Sequence, residues 1–385
     1  MKTIASFTRF AALCASVFII FSCSRDPRKA FEKDIQAYRA QMGNVGLAVA
    51  VVKDNQIVYH GNFGVADIQT DYPITDSSLF RIASISKSFS ATSMFQLIEK
   101  GLVTLDTDVS DLAGFKVRNP KFPDKAITVE MLMSHTSSLN DSQGYFTLDV
   151  INPKTNPDWP QCYNSYEPGT GYEYCNLNFN MIGTFIEKLS GERFDRYVYN
   201  HVLAPLGLYG GYCVDSLDFT RFVSLYEYDN ADSSFVESFD AYAPRSEIIA
   251  NYRFGYDTPV FSPTGGMKIS ACDLARYMMM HMGYGTSPSG VKIISEQSSR
   301  SMQTPRSSEE NYGLAIRIAD DLIPGVTLVG HTGGAYGLRS AMFFAPDRSF
   351  GLVMMSSGTR IDEDEDSRNI IAGTLTRMYN HFIKP

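Results

Sequence analysis

Apolar positions along the chain fall into blocks whose period changes from segment to segment. Phe10 to Phe21 is an uncharged apolar stretch behind Lys2 and Arg9, shorter than the roughly 18 residues a membrane span needs. Phe31, Ile35, Tyr38 and Met42 then recur at helical spacing in a polar background and predict an amphipathic helix. Val45 to Val52 and Ile57 to His60 are apolar runs split by the turn pair Asp54-Asn55, the pattern of a β-hairpin. Ser84 to Lys100 carries the strongest helical signal. Ser88 to Ile98 has no charge and is apolar around most of its circumference, so this helix is expected to be buried, with Gly101 as its stop. Thr128 reads as the N-cap of another helix beginning Val129-Glu130.

From about Asn140 to Thr264 the pattern loosens into Pro, Asn, Asp, Tyr and Phe, with the sole tryptophan, Trp159. Within that region Leu177 to Leu189 has helical spacing and is followed by Gly191. Near the end, Val326 to Gly330, Ser340 to Ala345 and Phe350 to Ser356 read as strands, with Pro346-Asp347-Arg348 as the turn between the last two. Ile370 to Phe382 reads as an amphipathic helix packed on them. Strands at both ends with helices between predict an α+β fold, one sheet assembled from both termini with a mostly helical insert. The expected organisation is a leader over 1–22, a tether and helix start over 23–43, and one domain over 44–385.

Charge and cysteine usage narrow the setting. A net charge of −8 with no basic run disfavours a nucleic-acid partner, which needs a cationic face. The apolar leader has the layout of an export signal, and Ile20-Phe21-Ser22-Cys23 resembles a bacterial lipoprotein cleavage box. Cys23 is then the lipidation site, and the chain is expected outside the cytoplasm on a lipid anchor. Cys162, Cys175, Cys213 and Cys272 remain, an even number in an oxidising compartment, with three possible pairings. There is no C-x-x-C, H-x-H or H-E-x-x-H, so no metal site is expected. The acidic run Asp362 to Asp366 reads as a solvated helix start rather than a calcium site.

Three short patterns carry chemistry. Ser84-Ile85-Ser86-Lys87 opens the buried helix, and residues three apart share a helix face, so Lys87 can reach the Ser84 hydroxyl. A desolvated lysine loses its proton near neutral pH and can activate a serine. The same spacing at Ser289 to Lys292 lies in a Gly/Ser/Pro loop and is read as chance. Tyr174-Cys175-Asn176 offers a phenol for proton transfer and an amide to hold an acyl group or Lys87, although Tyr228-Asp229-Asn230 shows that the triplet also arises by accident. His331-Thr332-Gly333-Gly334 follows an apolar run, where glycines let a substrate lie along the strand and a free N–H can face an oxyanion. His135 is read as a structural residue bonding a turn.

The ordered set S-x-x-K, Y-x-N and H-T-G resembles the serine β-lactamase and penicillin-binding-protein superfamily, nearest to class C β-lactamases and their DD-peptidase and esterase relatives. Phe80 to Ala83, Met131 to Ser137 and Gly265 to Ser270 support it, and the likeness runs from about Asn44 to the C-terminus. It implies a β-lactamase-like antiparallel sheet flanked by helices, no cofactor, and an acyl-enzyme on Ser84. Lys87 and Tyr174 would share the proton transfers, Asn176 would position the acyl group, and the backbone N–H groups of Ser84 and Gly334 would hold the oxyanion. His331 stands where class C enzymes carry lysine, so the charge for a substrate carboxylate weakens, and Arg339 is the candidate replacement. The expected partner is a small acyl donor or peptide, met by a monomer. The aromatic-rich run Leu206 to Phe261 is a candidate wall for an acyl or acceptor pocket. Transfer of the acyl group to an alcohol, or a non-catalytic penicillin or peptidoglycan sensor, are the alternatives.

Overall fold

In the computed structural model, residues 26–307, 309–360 and 364–384 are described. The leader, Cys23 and part of the acidic run fall outside them. The strands are β1 (Gly46–Lys53), β2 (Gln56–Asp67), β3 (Tyr72–Pro73), β4 (Phe80–Arg81), β5 (Gly210–Gly211), β6 (Tyr226–Asp229), β7 (Ser234–Glu237), β8 (Lys268–Ile269), β9 (Arg317–Ile323), β10 (Val326–Ala335), β11 (Leu338–Phe344) and β12 (Phe350–Ser356). The α-helices are α1 (Pro27–Gln41), α2 (Ser86–Glu99), α3 (Val109–Ala113), α4 (Val129–Met133), α5 (Asn176–Ser190), α6 (Phe194–Val198), α7 (Ser246–Ala250), α8 (Ala271–Met282), α9 (Glu296–Gln303) and α10 (Asp364–Met378). None of the described helices is long and apolar enough to cross a membrane.

The main sheet has seven strands in the order β3-β2-β1-β12-β11-β10-β9. Its pairings are antiparallel, including the central register that sets Val49 against Met354 and so joins the two ends of the chain. Alternation makes this a two-faced sheet. Leu47, Val49 and Val51 of β1 pack with Leu352 and Met354 on one face, beneath α1 and α10. Ala48, Ala50 and Val52 face the other way, toward α2, α5 and α8, together with Val353 and Met355. Strands buried on both faces read as continuous apolar runs, as these do in the sequence.

The expected hairpin, buried helix, Thr128 cap and three late strands are all present. Asp54 and Asn55 both adopt positive φ, as a two-residue hairpin turn requires. Thr128 Oγ1 accepts from the Met131 N–H at 3.3 Å. Three features differ. The helix at Phe31 is fully built into the core, with Phe31 and Ile35 wholly buried, so the fold starts well before residue 44. β10 runs on through His331 to Ala335, because Gly333 and Gly334 extend rather than break the ladder with β11. β9 has no counterpart among the sequence-read strands; its Asp320 and Asp321 hide the alternation. The four described cysteines are free thiols, with none of the three pairings formed.

Candidate active site

Ser84 lies on a single 3-10 turn, Ala83–Ile85, that leads directly into α2. Ala83 has φ +47°, a left-handed conformation that costs a residue with a Cβ roughly 1–2 kcal/mol. The turn is held from several sides. Ser340 Oγ donates to the Ile82 carbonyl at 3.0 Å, the Ile82 N–H donates to the Met267 carbonyl at 2.9 Å, and Ser86 Oγ accepts from the Met267 N–H at 3.0 Å. Such strain persists only where the surroundings fix it, and here it turns the serine out at the head of a buried helix.

Lys87 is wholly buried. Its Nζ lies 3.2 Å from Ser84 Oγ, 2.9 Å from Asn176 Oδ1 and 3.1 Å from the Thr264 carbonyl. Among the described residues no carboxylate pairs with it. Burial brings it down to about 7, partly opposed by the more distant Asp141 carboxylate. It also lies 4.5 Å over the Tyr174 ring. Tyr174 is the opposite case. Burial pushes its phenol far above the ordinary value, with a smaller downward pull from Ser84. Its hydroxyl is enclosed, with no hydrogen-bond partner of normal geometry among the described residues.

The structure adds Asp141, which sequence reading passed over. Asp141 caps α5 from a distant loop. Its carboxylate accepts from the Asn176 N–H at 2.8 Å, from Asn176 Nδ2 at 3.0 Å and from the Leu177 N–H at 3.0 Å, and the Cys175 thiol donates to it at 3.3 Å. Because an ionised carboxylate only accepts, Asp141 forces the Asn176 NH₂ toward itself. Asn176 Oδ1 must then face Lys87 and Thr264 Oγ1, the latter at 2.8 Å. An isolated aspartate in a turn has no sequence signature, which is why it escaped notice. His135 bonds a turn as expected, its Nδ1 accepting the Cys175 N–H at 3.2 Å, and its ring lies 4.3 Å from that of Tyr174, tilted by 37°.

β10 supplies the opposite wall. β9 pairs with β10 only as far as Gly330, whereas β11 pairs as far as Ala335, so His331 to Ala335 keeps an edge that β9 does not cover. That stretch packs against the Ser84 turn. A Cβ on Gly333 would meet the Ile82 carbonyl at 2.3 Å, so only glycine fits.

His331 is not the cation that a partly charged histidine would be. Burial, and then Lys87, lower it to about 3. Its Nδ1 faces the Thr332 carbonyl, which can only accept, so Nδ1 carries the proton and Nε2 accepts from Tyr312 O–H at 3.0 Å. A neutral, doubly bonded imidazole cannot supply a carboxylate with charge. Arg339, paired with Gly334 in the ladder, and Arg317 bring guanidinium groups to the same cavity of about 660 Å³, which also holds Ser84. Arg339 Nη1 donates to the Leu338 carbonyl at 3.0 Å.

On the other side of Ser84 a second depression of about 450 Å³ is walled by Tyr145, Phe146 and Tyr336. It adjoins a third of about 350 Å³ that includes Ile248, Pro259 and Val260. The end of the aromatic-rich region therefore does reach the cleft. The second S-x-x-K copy is remote from all this, with Ser289 and Lys292 on an exposed turn.

A protein-family profile described as Beta-lactamase matches residues 31–374. Penicillin-binding protein 4 of Amycolatopsis lactamdurans is 26% identical over 352 residues, covering 85% of this chain and 84% of that protein. Several other curated relatives are matched over less than half their length. Among solved structures, D-amino acid amidase from Ochrobactrum anthropi SV3 superposes with a TM-score of 0.73 at 20% identity, over 92% of this chain and 98% of that one. A class C beta-lactamase superposes with a TM-score of 0.71 at 18% identity, over 93% and 97%.

Proposed function

The chain belongs to the Beta-lactamase family, whose members are serine hydrolases that work through an acyl-enzyme, and from that premise we propose that it cleaves small esters or amides through Ser84. The observation that carries this reading is Lys87, fully buried, 3.2 Å from the serine oxygen and depleted of its charge near neutral pH. Neutral Lys87 takes the Ser84 proton as Oγ bonds to the substrate carbonyl carbon. The carbonyl becomes an oxyanion facing the backbone N–H groups of Ser84 and Gly334, each such donor being worth roughly 3 kcal/mol in a protease site. When the bond to the leaving group breaks, a proton reaches that group through Tyr174, which its raised pKa keeps protonated and able to donate. Water then attacks the acyl-enzyme by the reverse relay.

Two features bear on the substrate. With His331 neutral, a β-lactam or D-alanyl carboxylate relies on Arg339 and Arg317. Phe146, Ile248, Pro259 and Val260 give the far end of the cleft an apolar side next to Arg81, Asp240 and Arg245, which suits a substrate with an apolar arm that ends in a polar group. The same surface favours a second reading, transfer of the acyl group to an apolar alcohol in place of water. We further propose export and lipid anchoring at Cys23, a reading supported by the leader sequence, and action as a monomer. Loss of lipid labelling in Cys23→Ala tests the anchor.

The test is the intact mass of the protein after incubation with benzylpenicillin and with a p-nitrophenyl ester, beside Ser84→Ala. Turnover or a lasting adduct that requires Ser84 is expected. Full turnover by folded Ser84→Ala refutes the assignment, and binding without any acylation places the protein among sensors. A Ser84-dependent adduct with the ester but none with penicillin selects the esterase or transferase branch.

A further inference from the structure

Away from the cleft, three segments bring an imidazole, a carboxylate and a thiol together. His60 lies on β2, Asp76 in the turn between β3 and β4, and Cys272 in the first turn of α8. Their nearest donor atoms all lie within 4.8 Å of one another. They share a surface depression of about 470 Å³. His60 Nδ1 and Asp76 Oδ1 are 3.1 Å apart, and Asn62 Nδ2 donates to that same oxygen at 2.6 Å.

We propose that His60, Asp76 and Cys272 form a divalent metal site, for zinc by their donor set, that clamps the β1–β2 hairpin to α8. Nitrogen, oxygen and sulfur donors in one cluster suit zinc, with Zn–N of about 2.0–2.1 Å and Zn–S of about 2.3 Å. Those lengths put neighbouring donors about 3–4 Å apart, so the trio needs to close by roughly 1 Å. The side chains have that freedom: His60 and Asp76 are 49% and 58% exposed. Solvent completes the tetrahedron.

Two arginines line the same depression, and each is engaged elsewhere. Arg276 is paired with Asp273 at 2.5 Å. Arg221 is engaged with the Ser77 carbonyl at 2.7 Å and lies 4.1 Å over the Tyr209 ring. Burial, and then the Asp76 carboxylate, raise the Cys272 thiol, so it is the metal that must draw off its proton. Metal binding displaces the thiol proton to solvent and takes the imidazole neutral, so no other reactant is needed. Local motifs such as H-x-H cannot register this trio, because no two of its members are sequence neighbours.

The test uses the full chain, freed of metal by a chelator and titrated with cobalt(II), then with zinc. One equivalent of cobalt is expected to bring up a near-ultraviolet thiolate-to-cobalt band that zinc abolishes. The band should be missing in Cys272→Ser and weakened at least tenfold in affinity in His60→Ala. Zinc should raise the thermal midpoint of the native chain and leave that of Cys272→Ser unmoved. Ester turnover, unchanged in Cys272→Ser, certifies its fold. Absence of the band, or a band that survives in Cys272→Ser, overturns the proposal.

Discussion

A lysine that holds its proton cannot take one from Ser84, so the pH at which Lys87 empties sets when acylation can start. Burial places that point at about 7, and kcat/KM for a p-nitrophenyl ester should rise with pH along one limb with its midpoint near 7, and level off above it. His331 contributes no inflection between pH 5 and 8, since it is already neutral there; a second limb in that range, removed by His331→Gln, would contradict this. Lys87→Met should lower acylation by about 10²–10⁴-fold, the range of a positioned general base. Asp141→Asn tests the residue behind the site. Its negative charge holds the Lys87 pKa up, so removing it should move the limb to lower pH, and the freed Asn176 amide should cut the plateau rate as well. Hydrogen bonds to a charged group contribute about 1.5–3 kcal/mol each, so a lower unfolding midpoint is also expected. A limb that stays in place would mean that Asp141 is purely a helix cap. The approach of Lys87 to the Ser84 hydroxyl was legible in the sequence because three-residue spacing on a helix is a local property. Asp141 was not, because its meaning lies in facing an amide 35 residues away.

Single elements explain where the glycine run matters. Gly333 and Gly334 look equivalent on paper, but β10 turns them to different neighbours. A Cβ at Gly333 would press on the Ile82 carbonyl and on Ser340 Oγ at 2.4 Å, both part of the support beneath Ser84, whereas at Gly334 the nearest atom is Arg339 Nη1 at 3.6 Å. Gly333→Ala should therefore shift the Ser84 turn and lower kcat by about 10²–10³-fold, the loss seen when one oxyanion donor is misplaced. Gly334→Ala should keep most of its activity. Equal effects from the two substitutions, measured on the same ester with circular dichroism as the folding control, would remove the argument. Element type was readable wherever an uncharged run was unbroken and its length matched one element, as in β1, α2 and β12. It failed at β9, whose outward acids break the pattern, and at the end of β10, where the apolar run stops at Gly330 although the strand continues to Ala335. In both places pairing with a neighbouring strand decides the structure, and pairing is invisible in a single segment.

At the scale of the whole molecule, the sheet is complete only when the two ends of the chain meet, since β1 pairs with β12 and α1 lies beside α10. The strand pattern at both ends predicted this closure, but left the N-terminal helix outside the domain because an amphipathic stripe does not say what it covers. Phe31 shows what is at stake. It is fully buried, with its ring 5.2 Å from both Tyr59 of β2 and Phe382 of the C-terminal turn, so one side chain joins helix, hairpin and C-terminus. Phe31→Ala should cost about 3–5 kcal/mol, and lower the unfolding midpoint on the order of 5 °C. The loss will not stay local if closure is what holds the Ser84 turn. β11, whose Ser340 anchors the Ile82 carbonyl, pairs with the same β12 that carries β1. In Phe31→Ala, ester activity and far-ultraviolet circular dichroism should therefore fall together on heating, at the lowered midpoint. Activity that outlasts the first structural transition would show that the N-terminal face and the active-site face unfold as separate units, and that the site needs less of the sheet than its topology implies.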